Sequence, residues 1–196
     1  MNSIKTNLGL VALSALFLST TMFARATTPE EKANLKKCEL SICELIVKKK
    51  ADGGPISCDL SKTWGKADLE KGAKAGKLAW KWGDAHCATK ISIARAPLIK
   101  ALTADKYDLK LDPTPVTCNI GSGEKSKVSF TLAPTLSFEK GEAKKARLGL
   151  DNIKGSFMKR MALKTAQLVD KSHIIDGILA KEVNKFISKK CPSEIK

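Results

Sequence analysis

From Gly76 to Leu150 apolar side chains recur at every second residue, in short runs separated by turn residues. Leu78, Trp80 and Trp82 alternate with Ala79 and Lys81, and Cys87, Thr89, Ile91 and Ile93 with Lys90 and Ser92. Tyr107, Leu109 and Leu111 follow, then Val116, Cys118 and Ile120, then Val128, Phe130 and Leu132. Leu136 with Phe138, and Ala146 with Leu148 and Leu150, complete the series. A period of two places one set of side chains on one face of a sheet, so the pattern predicts an antiparallel meander with one buried face. Gly83-Asp84, Asp112-Pro113, Gly121-Ser122-Gly123 and Glu139-Lys140-Gly141 supply the turns, the first as a tight hairpin.

The flanks change period. Thr28-Pro29-Glu30-Glu31 is a helix start, with Thr28 as cap, Pro29 at the first helical position and Glu31 closing a capping box. Leu35, Cys38, Ile42 and Leu45 then fall on one stripe. The β-branched run beginning at Leu45 predicts that this helix ends near Cys43. A hairpin from Glu44 to Leu60 would follow, turning at Asp52-Gly53-Gly54-Pro55. Lys66 to Ala75 fits a short exposed helix and Pro97 to Leu102 a helical turn. Beyond Asn152, Phe157, Met161, Leu168, Ile175, Leu179, Val183 and Phe186 lie within about 40° of one line on a helical wheel, opposite Lys159, Asp170, Lys181 and Ser188. This predicts one long amphipathic helix, or two in succession with a bend near Lys171 to His173. The fold class is α+β: a meander of about six to eight strands, an N-terminal helix, and a long C-terminal helix packed on one face.

Composition adds a compartment. Residues 1–26 read as a signal peptide: Lys5, an apolar stretch from Leu8 to Phe23, and Ala24-Arg25-Ala26 before the expected cut. Residues 27–196 then form a single disulfide-stabilised domain, periplasmic or secreted. Its six cysteines, Cys38, Cys43, Cys58, Cys87, Cys118 and Cys191, lack the close pairing of a metal site and predict three disulfides. Among the pairings, Cys191 with a cysteine of the N-terminal helix is preferred, because it would clamp both helices.

Charge narrows the partners. The formal net charge is +15, and loss of Lys5 and Arg25 with the leader leaves +13. Such a balance favours anionic partners. For an exported chain these are lipid headgroups or other envelope components, including peripheral contact with a membrane, and no nucleic acid is expected.

Catalytic patterns are absent. His86 and His173 are the two histidines, and no nucleophile elbow, zinc-protease, Walker or dinucleotide motif occurs. No enzyme activity, cofactor, metal or catalytic residue is expected. Two features suggest binding. Trp64, Lys77, Trp80, Lys81 and Trp82 combine aromatic and basic groups, which suits a membrane interface, a sugar surface, single-stranded nucleic acid or plain core filling. A one-sided sheet facing an amphipathic helix can enclose a slot for an apolar ligand, with Met158, Met161 and Leu168 as candidate liners. The expected function is therefore an exported non-enzymatic binding protein for an amphipathic or anionic lipid-like ligand or envelope surface. The alternative is a secreted protein-binding module, an inhibitor or an envelope assembly factor.

Overall fold

The computed structural model describes residues 27–75, 80–121 and 126–195. Residues 1–26, expected to be a signal peptide, and Lys77, Leu78 and Ser122-Gly123 lie outside the described residues, as do the side chains of Phe157, Met158 and Met161. The order of elements is α1 (Pro29–Lys48), β1 (Ile56–Trp64), α2 (Lys66–Ala75), β2 (Ala85–Ile93), α3 (Arg95–Thr103), β3 (Lys106–Lys110), β4 (Thr114–Ile120) and β5 (Lys127–Leu132). Then come β6 (Thr135–Glu139), β7 (Glu142–Arg147), β8 (Leu150–Gly155), α4 (Phe157–Lys171), α5 (Asp176–Lys185), a π-helical turn (Phe186–Lys190) and α6 (Cys191–Glu194).

All strand pairings are antiparallel, and the strands divide between two sheets. The larger runs β1-β2-β4-β5-β8, a meander in chain order. The smaller, β3-β6-β7, is made from the segments inserted between those strands. Alternation holds where it was clearest: in β4 every second residue, from Thr114 through Val116 and Cys118 to Ile120, is buried. Helix α1 lies against β1, α4 against β8 and α5 against β7.

Four local expectations are corrected. Helix α1 continues five residues past Cys43, because Leu45 and Ile46 keep to its buried face; it stops at Lys49, whose left-handed backbone (φ 51°) lets its N–H reach the Leu45 carbonyl at 2.9 Å. No strand forms over residues 44–50, and Ile56–Trp64 pairs with β2 instead. The described residues from Trp80 to Asp84 form a loop, not one arm of a hairpin. Strand β2 is already paired on both sides, by β1 and β4, so it has no free edge for another strand. The Ala146–Leu150 run is split at Gly149 (φ 63°), where a side chain would collide with the Ala133 carbonyl, and β8 then runs on to Gly155.

The fourth correction concerns α4. Its buried face carries Lys159 and Asp170, while Leu168 is 68% exposed. The carboxylate of Asp170, 2% exposed, accepts the backbone N–H groups of Leu148, Gly149 and Leu150 at 2.9, 3.0 and 3.2 Å. Lys159 Nζ donates to the Ile120 carbonyl at 2.6 Å. These bonds to backbone groups of the β7–β8 connection and of β4 fix the rotation of the helix against its apolar stripe. The bend expected near Lys171 to His173 is present: residues 172–175 form a turn, with His173 left-handed at φ 63°.

All six cysteines are paired, as Cys38–Cys58, Cys43–Cys191 and Cys87–Cys118. The first two tie α1 to β1 and to α6, so the clamp between the N- and C-terminal helices is present; the third joins directly opposed residues of β2 and β4. Three disulfides mark a chain that matures in an oxidising, extracellular-type environment. Among the described residues no helix is long and apolar enough to cross a membrane.

Candidate functional site

The two sheets meet the helices around an apolar cavity of about 70 Å³. Ile42 and Ile46 of α1, Ile91 and Ile93 of β2 and Leu98 of α3 line one part. Leu109, Leu111, Leu136 and Phe138 line the smaller-sheet side, and Val183, Phe186 and Ile187 close the C-terminal side. Ser92 and Thr114 are the polar side chains in the wall. The Thr114 hydroxyl is engaged with the Asp112 carbonyl at 3.0 Å. A space so lined favours hydrocarbon over water, which needs two to four polar partners. Its volume is below the ~300–1,000 Å³ of pockets that enclose a whole drug-sized ligand, so it suits a chain end or a small branched group. The π-helical turn contributes Phe186 and Ile187 to this wall and contains no fully buried residue.

Of the residues singled out from the sequence, the described ones, Trp64, Trp80, Lys81, Trp82 and Leu168, do not line this cavity. Leu168 points to solvent. Trp64 ends β1, half-buried, with Lys62 Nζ 5.4 Å from its ring centroid. Trp80 and Trp82 are half-buried and stack edge to face at 4.9 Å, and Trp80 Nε1 donates to the Gly83 carbonyl at 2.9 Å. Lys81 between them is exposed. The tryptophans thus act partly as core, packed against the apolar cluster.

A polar hub gathers at the start of α1. Glu31 Oε2 accepts the Thr28 N–H at 2.8 Å, and the Thr28 hydroxyl accepts the Glu31 N–H at 3.1 Å. Glu31 Oε1 accepts the Thr63 hydroxyl at 2.8 Å and lies 3.1 Å from His86 Nδ1. Lys62, 4% exposed, occupies an inward position of β1 nearby; burial pushes its ammonium below the ordinary lysine range, and the Glu31 charge opposes that shift. His173 Nδ1 sits 2.8 Å from Asp176 Oδ2 at the α4–α5 corner. Each histidine therefore meets a buried carboxylate. The Thr63 hydroxyl that donates to Glu31 also lies 2.9 Å from His86 Nδ1. Among the described residues no group of three or more His, Cys, Asp or Glu side chains could hold a metal ion.

Sequence reasoning missed the cavity liners on α1, α3 and the smaller sheet because they come from segments up to 145 residues apart, each reading as ordinary core. Only the expectation that sheet and C-terminal helix enclose a slot pointed toward them. No protein-family model, curated protein or solved structure matches the chain.

Proposed function

We propose that this is an exported, periplasmic or secreted, non-enzymatic protein that binds an amphipathic, lipid-like ligand by its apolar end. The observation that carries the reading is the cavity, whose wall is apolar apart from Ser92 and Thr114. The strongly basic surface favours an anionic head on that ligand. A chain end occupies the cavity, and the rest of the ligand leaves past Phe186 and Ile187.

Calorimetric titration with saturated fatty acids of increasing length tests this. Each methylene buried is worth about 0.8 kcal/mol, so affinity should rise about fourfold per added carbon and level off once the cavity is filled. Val183→Phe, which fills the cavity from α5, should abolish that dependence. Affinity independent of chain length would contradict the reading. The alternative, a secreted protein-binding module, is favoured by β8, which among the described residues pairs only with β5 in the sheet and exposes Asp151, Asn152 and Lys154.

A further inference from the structure

The α4–α5 corner exposes apolar side chains that the fold does not use. Ile174, in the turn, is 76% exposed; Leu168, six residues before it, 68%; and Ile178, in the first turn of α5, 45%. The Ser172 N–H bonds the Leu168 carbonyl at 2.9 Å, which ties the start of the turn to the last turn of α4. Apolar groups in this density at one convex corner are unusual on a water-facing surface.

Lysines flank each of them at helical spacing. Lys164 and Lys171 stand four residues before and three after Leu168, and Lys181 stands three after Ile178; all three are exposed. Residues three or four apart share a helix face, so lysine heads border the apolar tips. The carboxylates of this segment do not cancel them. Asp170 is buried on three backbone N–H groups, Asp176 is buried beside His173, and Glu182 pairs with Lys185.

We propose that this corner docks the protein on an anionic lipid bilayer, with Ile174, Leu168 and Ile178 entering the headgroup–acyl boundary and Lys164, Lys171 and Lys181 resting on anionic headgroups. Apolar tips ringed by long basic side chains fit that interface, where lysine stems cover apolar surface and the ammonium groups reach phosphate. Charge selects this occupant over an apolar protein face, which would leave the three lysines without counter-charge. The inference is independent of the cavity reading, since the cavity is lined by Val183, Phe186 and Ile187 and by none of the corner residues, Val183 lying about 8 Å along α5 from Ile178 at about 1.5 Å per residue.

The test is flotation of the purified mature protein with vesicles of phosphatidylcholine and phosphatidylglycerol in equal parts, against phosphatidylcholine alone. Binding is expected only with phosphatidylglycerol, and should weaken with salt. Ile174→Ser/Ile178→Ser should lower the partition coefficient at least about tenfold, since two partly inserted side chains lose their apolar burial. Lys164→Gln/Lys171→Gln/Lys181→Gln should lower it roughly 100-fold and flatten the salt dependence. Lys106→Gln/Lys110→Gln, on the smaller sheet, is the control for general charge and should lower it less than the corner lysines. All these positions are exposed, so thermal midpoints should be unchanged. Full binding by Ile174→Ser/Ile178→Ser would overturn the inference, as would equal binding to both vesicle types. Failure to float, with self-association that Ile174→Ser abolishes, would assign the corner to a second copy of the chain instead.

Discussion

Glu31 joins three elements through one carboxylate, and its charge favours the charged form of the buried Lys62. One oxygen closes the cap of α1, and the other takes the Thr63 hydroxyl of β1 and faces His86 of β2. A hydrogen bond to a charged group contributes about 1.5–3 kcal/mol, and a buried donor left poorly satisfied costs about as much again. Glu31→Gln, which weakens the bonds to the Thr28 N–H and the Thr63 hydroxyl together, should therefore destabilise by about 3 kcal/mol in urea unfolding at neutral pH. The pH dependence has a definite sign. Burial sets the Lys62 pKa in the folded chain below its ordinary 10.5, so between those values the unfolded chain binds more protons. Stability from this group then rises as pH climbs through that window, and Lys62→Met should flatten the rise. Beyond the Thr28–Glu31 capping box, the hub was not legible in the sequence. Glu31, Thr63 and His86 are 32 and 23 residues apart, and Lys62 breaks an alternation that otherwise marks inward positions as apolar.

Among the elements, α4 shows how two polar side chains override an apolar stripe. Hydropathy assigns Asp170 outward and Leu168 inward, and the structure reverses both. The reason is the β7–β8 turn, whose three backbone N–H groups need an acceptor that periodicity does not register. In α5 the stripe does face the core, since Leu179 and Val183 are buried. Leu179→Ala should cost about 2–5 kcal/mol, while Leu168→Ala, expected from the stripe to cost as much, should cost less than about 0.5 kcal/mol. Asp170→Asn should be the most damaging change in α4, because it turns an amide N–H toward backbone donors. Chemical denaturation of the three variants ranks them, and a large loss for Leu168→Ala would show that α4 packs by its apolar stripe. The capping box at Thr28 and the alternation of β4 were readable because one local rule suffices for each. The loop at Trp80 to Asp84 was not, because sheet order decided it: β2 already had both neighbours.

For the whole molecule, the described fold is a meander with a second sheet folded out of its connections, closed by helices at both ends of the chain. The Cys43–Cys191 bridge spans 148 residues, and in the chain-entropy model a loop of that length contributes about 5 kcal/mol. Around the bridge, Glu39 takes Lys190 at 2.9 Å and Lys36 pairs with Glu194, so α1 and the C-terminal segment are held as a unit. Val183, Phe186 and Ile187 thus reach the cavity from a braced segment, and Asn184 braces it further by bonding both the N–H and the carbonyl of Ala143 on β7. Where the C-terminal stripe meets space is therefore its clamped end, at Phe186, whereas the stripe itself is least regular between Phe157 and Ile175. Native mass spectrometry of the protein purified from its own host tests the binding function most directly. The proposed function predicts a folded chain carrying one small lipid-like adduct, absent from Val183→Phe purified in the same way. A bare chain that also shows no fatty-acid affinity, or a stoichiometric polypeptide in place of a small molecule, would contradict it.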